Sequence, residues 1–230
     1  QWDHVLDRES RSLPELIVKL MGKIGIWGIQ TPVKYGGADM DTVSYAIIIE
    51  EISRVCASTG LGVTVHNSVC LAPILKFGSE LQKEKYAYDL ASGEKIGGFT
   101  ITEPQAGSDA AGIQTRAVKD GKHYIVHGQK AFVTNGGTGQ VFLVGAQLDP
   151  SKGARGIGIF ILDKSMDGFT VGKIEDLMGM RGNRVSELSF DHVRVPEENM
   201  LGKSDSGFKI SMQTLDMGGI GIAARALGIG

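Results

Sequence analysis

Two short runs gather hydroxyl, amide and carboxylate side chains at the ends of apolar stretches. The first is FTITEPQAGSD at residues 99–109; the second is FVTNG at 132–136. Each reads as a strand that ends in polar groups. In the first, Thr102 and Ser108 offer hydroxyls, Gly107 allows close approach to the backbone, and Glu103 and Asp109 can cap or orient the turn. In the second, Phe132 and Val133 lead into the Thr134 hydroxyl and the Asn135 amide. Two strand ends of this chemistry can hold a planar ring by its polar edge and a phosphate by backbone N–H groups. Alone, a TEP turn with a following GSD is most often an ordinary loop. The second run is what turns the pair into a ligand-site hypothesis.

Other chemistries fail on inspection. LGKS at 201–204 has the tail of a phosphate-binding loop, but the first glycine that motif needs falls at Glu197. There is no G-x-G-x-x-G, and no G-x-S-x-G to present a serine nucleophile. His123 and His127 are four apart, but on a strand rather than an H-E-x-x-H helix, so no metal site is expected. His66 and His192 read as structural histidines.

The positioning elements come in the order α, β, α. Residues 1–93 read as helical. Leu13, Leu16, Ile17, Leu20, Met21 and Ile24 recur at helix spacing, with Ser12 and Pro14 at the start. A second helix begins near Asp41, placing Val43, Ile47, Ile48, Ile52 and Val55 on one side and Glu50 four residues before Arg54. Shorter helices follow at 71–77 and 80–90, and Gly93 closes the region. From 94 to 203 the period changes. Strands are expected at 96–101, 113–118, 123–127, 141–148, 157–162 and 187–195, with a hairpin turn at 119–122. In the last strand the apolar alternation slips between Phe190 and Val193, which predicts a bulge at Asp191-His192. The expected fold class is α+β, with a middle antiparallel β-domain of barrel or sandwich type. Residues 204–230 return to helix after Ser206-Gly207.

Bulk composition agrees with an ordinary globular chain. The 230 residues suffice for one large or two small domains. Lys+Arg 24 against Asp+Glu 26 gives a net charge of −2, which offers no electrostatic pull toward nucleic acid or an anionic membrane. No apolar run approaches the ~20 residues of a membrane span. Cys56 and Cys70 form no C-x-x-C and read as buried free thiols, which fits a reducing compartment. Glycine accounts for 33 of the 230 residues, about twice the average share, and falls in turns and near the polar loops, where backbone must approach something closely. Gln1 is no initiator and residues 220–230 stop without a capping signal, so the sequence reads as an interior piece of a longer protein.

The two polar runs resemble the flavin-binding signature of the acyl-CoA dehydrogenases. The resemblance extends over YGG at 35–37, EEISR at 50–54, CASTG at 56–60, LKFG at 75–78, GQK at 128–130, VPEEN at 195–199 and GFKI at 207–210. LDM at 215–217 with IGIA at 220–223 is most similar to the short-chain, butyryl-CoA branch. The resemblance implies an N-terminal helical domain (1–93), a middle antiparallel β-barrel domain (94–203) and the first helix of a truncated C-terminal bundle (204–230). It implies FAD as cofactor, a homotetramer, electron-transferring flavoprotein as partner, and a role in fatty acid β-oxidation. The expected compartment is bacterial or archaeal cytoplasm or the mitochondrial matrix.

By position, the resemblance implies that Phe99 and Ile101 line flavin and substrate, and that Thr102 bonds the flavin's pyrimidine edge. Gly107 and Ser108 would meet the pyrophosphate, with Ser108 near the CoA chain. Phe132, where the family usually has Trp, and Val133 would pack by the ring, and Thr134 would bond N5. Asp216 matches a CoA-contacting position, and Gly219 stands where the family has Arg. The implied reaction is α,β-dehydrogenation of a short-chain acyl-CoA. The glutamate base is expected C-terminal to residue 230, because Gly218 occupies the alternative base position. Two alternatives stand beside this reading: an acyl-CoA oxidase or related flavoenzyme on the same fold, and a non-catalytic acyl-CoA- or flavin-binding module.

Overall fold

A computed structural model describes residues 12–230; the first eleven residues of the expected helical region lie outside it. Helix α1 (Glu15–Lys23) starts after Pro14, whose fixed φ suits a first turn. Its packed side is Leu13, Val18 and Met21, while Leu16, Leu20 and Ile24 are exposed, so only part of the expected apolar stripe faces the core. Helix α2 (Thr42–Val55) is capped by Asp41, whose carboxylate accepts from the Ser44 N–H at 2.7 Å. Here the expected inner face is corrected. Tyr45, Ile49 and Ser53 are buried, and Val43, Ile47 and Val55 are exposed. Arg54 pairs with Glu51 at i,i+3 rather than with Glu50.

Helices α3 (Ala57–Thr64) and α4 (Ala72–Phe77) are joined through a π-helical segment, Val65–Leu71, with six of its seven residues buried. Helix α5 (Glu80–Ser92) opens on a capping box in which Ser79 and Gln82 bond reciprocally. Gly93 ends it at φ +77°, a left-handed conformation that glycine adopts without a Cβ clash.

Eight strands follow: β1 (Gly97–Thr100), β2 (Arg116–Asp120), β3 (His123–Val133), β4 (Val141–Gln147), β5 (Ile157–Asp163), β6 (Phe169–Ile174), β7 (Ser186–Pro196) and β8 (Met200–Leu201). Their order is β6-β7-β3-β2-β4-β5-β8, with β1 also on β4. The sheet is mixed rather than wholly antiparallel, because β1 runs parallel to β4 and β2 meets the end of β4 in parallel. The β2–β3 hairpin turns at Gly121-Lys122, as the sequence predicts, with Asp120 paired to His123. Strands β6 and β8 have no counterpart among the expected strands; in β6 only Phe169 is buried, and the rest of the stretch carries no strong alternation.

Strands β4 and β5 are apolar on both faces, and the fold uses both. Val141, Leu143, Ile159 and Ile161 meet Cys70, Leu71, Ile74 and Leu90 from the helices. Phe142, Val144, Phe160 and Leu162 meet Phe169, Leu188, Phe190 and Val193 across the sheet. Helix α6 (Gly207–Ile229) returns across the helical region. A side chain at 221 would strike the Tyr45 hydroxyl at 2.4 Å, and one at 228 the Glu50 carbonyl at 2.2 Å, so glycine permits this close packing against α2. Among the described residues no helix is long and apolar enough to cross a membrane.

Candidate functional site

The segment just past β1 is lashed to the later part of β3 by a buried ion pair. Glu103 Oε1 accepts from Lys130 Nζ at 2.7 Å and from the Thr115 N–H at 2.9 Å. Glu103 Oε2 accepts from the Gln114 N–H and the Gln105 side chain, both at 2.6 Å. Lys130 Nζ also donates to the Ile101 carbonyl at 3.1 Å. Both charged side chains are buried. Burial alone would raise the Glu103 carboxyl, but the Lys130 charge and the N–H donors outweigh it and hold the group below its ordinary value. Burial pushes the Lys130 ammonium down, against the upward pull of Glu103. The carboxylate is therefore saturated as an acceptor and serves to hold the 101–115 loop, not to take a proton from a substrate.

The second strand end lies beside the first. The Ala131 N–H donates to the Thr102 carbonyl at 3.0 Å. A Cβ at Gly98 on β1 would come within 3.0 Å of the Thr134 carbonyl. The β3–β7 register slips between Lys130 and Val133, and in that slip Phe132 takes φ +54° and is 63% exposed. A large aromatic at positive φ carries strain of about 1–3 kcal/mol, which the surrounding pairing must impose. Asn135, also left-handed at φ +62°, is fixed from several directions. Its amide donates to the Gly62 and Gly97 carbonyls at 3.1 and 2.9 Å and accepts from the Asn183 side chain at 2.8 Å. Its N–H donates to Asn183 Oδ1 at 3.1 Å. Helix α3, strand β1 and the 183 loop thus meet at one residue just past Thr134.

The structure brings Phe99, Ile101, Thr102, Phe132, Val133 and Thr134 into one region, with different degrees of access. Phe99, Thr102 and Thr134 are half-buried, and Phe132 is open. Ile101 and Val133 point into apolar clusters, Ile101 among Ala106, Ile113 and Ile157 and Val133 among the sheet residues. Gly107 and Ser108 are exposed, and a side chain at 107 would meet no atom within 4 Å, which leaves that backbone open to a ligand. Asp216 and Gly219 lie exposed on α6, with no atom within 4 Å of a side chain at 219. Gly218 is buried, and even a methyl there would come within 2.9 Å of Val69. Thr100 Oγ1, on the last residue of β1, is buried without a hydrogen-bond partner among the described residues.

Sequence reasoning missed the Lys130 partnership with Glu103 and the Asn135–Asn183 pair. A lysine at an inward position of an alternating strand was the available signal for the first; none marked Asn183. His66 is structural, as expected. Its Nδ1 accepts from the Gly97 N–H at 2.9 Å, so Nε2 carries the proton and donates to the Leu90 carbonyl at 3.0 Å. Burial lowers its pKa to about 4. Cys56 and Cys70 are free and buried, and burial pushes the Cys70 thiol up to about 12.

An exposed aromatic, two hydroxyls at adjoining strand ends and an open glycine-serine backbone fit a planar hydrogen-bonding ring with an anionic tail. Comparison with known proteins agrees. Residues 1–94 match the acyl-CoA dehydrogenase N-terminal domain, and residues 98–193 match the acyl-CoA dehydrogenase middle domain. The chain is 48% identical over 221 residues to the short-chain specific acyl-CoA dehydrogenase of Clostridium acetobutylicum, covering 96% of this chain and 58% of that protein. It superposes on butyryl-CoA dehydrogenase from Megasphaera elsdenii with a TM-score of 0.94 at 43% identity, covering 97% of this chain and 59% of the other. The same TM-score, at 45% identity and 97% and 58% coverage, relates it to a chain in a structure described as the electron transferring flavoprotein of Acidaminococcus fermentans. Similar chains occur in structures described as complexes with FAD and with FADH2. The chain thus spans somewhat over half the length of these relatives. With the two domain matches together covering most of its residues, the chain belongs to the acyl-CoA dehydrogenase family.

Proposed function

We propose that this chain supplies the N-terminal and middle parts of an FAD-dependent dehydrogenase that converts a short-chain acyl-CoA to its trans-2-enoyl-CoA. The observation that carries this reading is the junction of two strand ends by Glu103 and Lys130, with Phe132 held outward beside it. Thr102 and Thr134 would hold the flavin's polar edge, Phe132 would cover its ring, and the open backbone at Gly107–Ser108 would receive the pyrophosphate. When bound, FAD supplies the acceptor for the β-hydride. Ser108 and Asp216 would orient the CoA moiety. Gly219, where a family arginine would stand, leaves that anchor to other groups. Glu103 is fully engaged and Gly218 is packed against Val69, so the α-proton would leave to a carboxylate beyond residue 230. In this reading the complete protein is a homotetramer and passes its electrons to electron-transferring flavoprotein.

The test is an anaerobic titration of the full-length flavoprotein with butyryl-CoA and longer homologues, following flavin bleaching. Bleaching strongest with butyryl-CoA is the expected result. No bleaching with any homologue would overturn the reading.

A further inference from the structure

The bulge in β7 gathers three metal-ligating side chains that the flavin site does not use. Val126 pairs with Val193 and Gly128 with Phe190, so His127 alone faces both Asp191 and His192. The extra residue puts His192 at φ +54°, and the Asp191 N–H is held by the Gly168 carbonyl at 2.8 Å. In a regular ladder successive side chains alternate faces. The bulge instead turns Asp191 and His192 to the same side as His127. His192 Nδ1 lies 2.7 Å from Asp191 Oδ1, and His127 Nδ1 lies 3.6 Å from the same oxygen. The two imidazole rings are 4.4 Å apart, and all three ligand atoms fall within 4.8 Å of one another.

We propose that His127, Asp191 and His192 form a binding site for a divalent transition ion of the Zn2+ class. Zinc takes imidazole nitrogen and carboxylate oxygen at about 2.0–2.2 Å, so ligand atoms around a tetrahedral ion lie about 3.3 Å apart. The two separations, 2.7 and 3.6 Å, lie on either side of that spacing, and the shorter is a His192–Asp191 hydrogen bond whose proton the ion would displace. Two imidazoles with one carboxylate suit Zn2+ or its neighbours over Mg2+ or Ca2+, which prefer oxygen ligands. All three side chains are exposed, so a fourth position is open to water. The site borders a depression of about 480 Å³ that also includes Gln129 and Arg116. Arg116 is paired directly across from His127, and its charge opposes a cation there. The expectation of no metal rests on His123 as the neighbour of His127. In the fold, His123 turns instead to Arg194, 3.1 Å away.

Equilibrium dialysis of the chelator-stripped, FAD-loaded full-length protein against Zn2+ tests this. The proposal expects one equivalent bound per chain at this site. His127→Ala, His192→Ala and Asp191→Asn should each weaken binding at least about tenfold. Arg116→Gln should tighten it, and His123→Ala should leave it unchanged. Flavin content should be the same in every variant, because none of the altered side chains is among those placed at the flavin. Absence of saturable binding, or binding that survives the His127→Ala, His192→Ala double variant, would overturn the proposal.

Discussion

The β4–β5 pair and the β3–β7 pair differ in regularity. Strands β4 and β5 pair residue for residue from Val141–Asp163 to Gln147–Ile157 without a slip, and their side chains are buried on both faces. Strands β3 and β7 slip twice, and each slip presents an exposed residue at positive φ, His192 at one and Phe132 at the other. Both candidate sites lie at slips. A regular ladder buried on both sides leaves no side chain free for a ligand. A bulge turns one outward and re-aims its neighbours. The regular pair supplies stability, and the irregular pair gives up some of it for placement.

Core truncation and loss of the buried ion pair should have the largest effects and should separate the two regions. Phe160→Ala on β5 should cost about 3–5 kcal/mol of unfolding free energy, with the flavin environment of the folded fraction unchanged. Lys130→Met on β3 should cost a similar amount, about 3–5 kcal/mol, because it strands the Glu103 carboxylate in the interior. Unlike the first, it should also loosen flavin binding. Denaturant titration of the full-length protein, with flavin fluorescence as a second signal, distinguishes them. If Lys130→Met destabilises without affecting flavin, the ion pair does not position the site.

His66 joins the helices to β1 and should make stability depend on pH. An unfolded imidazole at 6.5 and a folded one at about 4 differ by about 3 kcal/mol. As pH falls from 6.5 toward 4, the unfolded chain gains a proton that the folded chain refuses, so stability drops across that window. Above 6.5 the contribution is fully present. The slope between pH 4 and 6.5 should be shallower in His66→Gln than in the parent. Equal slopes would mean that the buried imidazole is not what titrates.

Smaller effects are expected at the slip itself. Thr134→Val should retain FAD but slow its reduction about fivefold, corresponding to a lost hydrogen bond worth about 1 kcal/mol. An unchanged rate in rapid-mixing experiments would remove Thr134 from the site. Phe132→Gly relieves about 1–3 kcal/mol of left-handed strain at a cost of about 0.5–1 kcal/mol in backbone entropy, so stability should hold or rise by up to about 2 kcal/mol. Flavin affinity should still fall. A loss as large as that of Phe160→Ala would show that Phe132 belongs to the core and blur the contrast between the two strand pairs.

Much of this arrangement is legible before folding. The phase slip between Phe190 and Val193 marks a bulge because the side-chain period of a strand is two. DGK at 120–122 marks a tight hairpin because glycine accepts positive φ without penalty. The inner face of α2 was not legible, since isoleucine and valine occur all around the helix and burial depended on where α6 lies. The parallel seat of β1 on β4 was not legible either. It follows from the docking of the helical region, where Gly97 backs onto Cys70.

By itself, the sequence determined the α, β, α order of the regions, the hairpin, the bulge and the residue types at the two polar strand ends, because these follow from local periodicity and turn chemistry. Only the tertiary structure decided which polar groups meet. Glu103 finds Lys130, Asn135 finds Asn183, and His127 finds His192 rather than His123. Each pairing joins segments distant along the chain, where strand register rather than sequence spacing sets the distance between side chains.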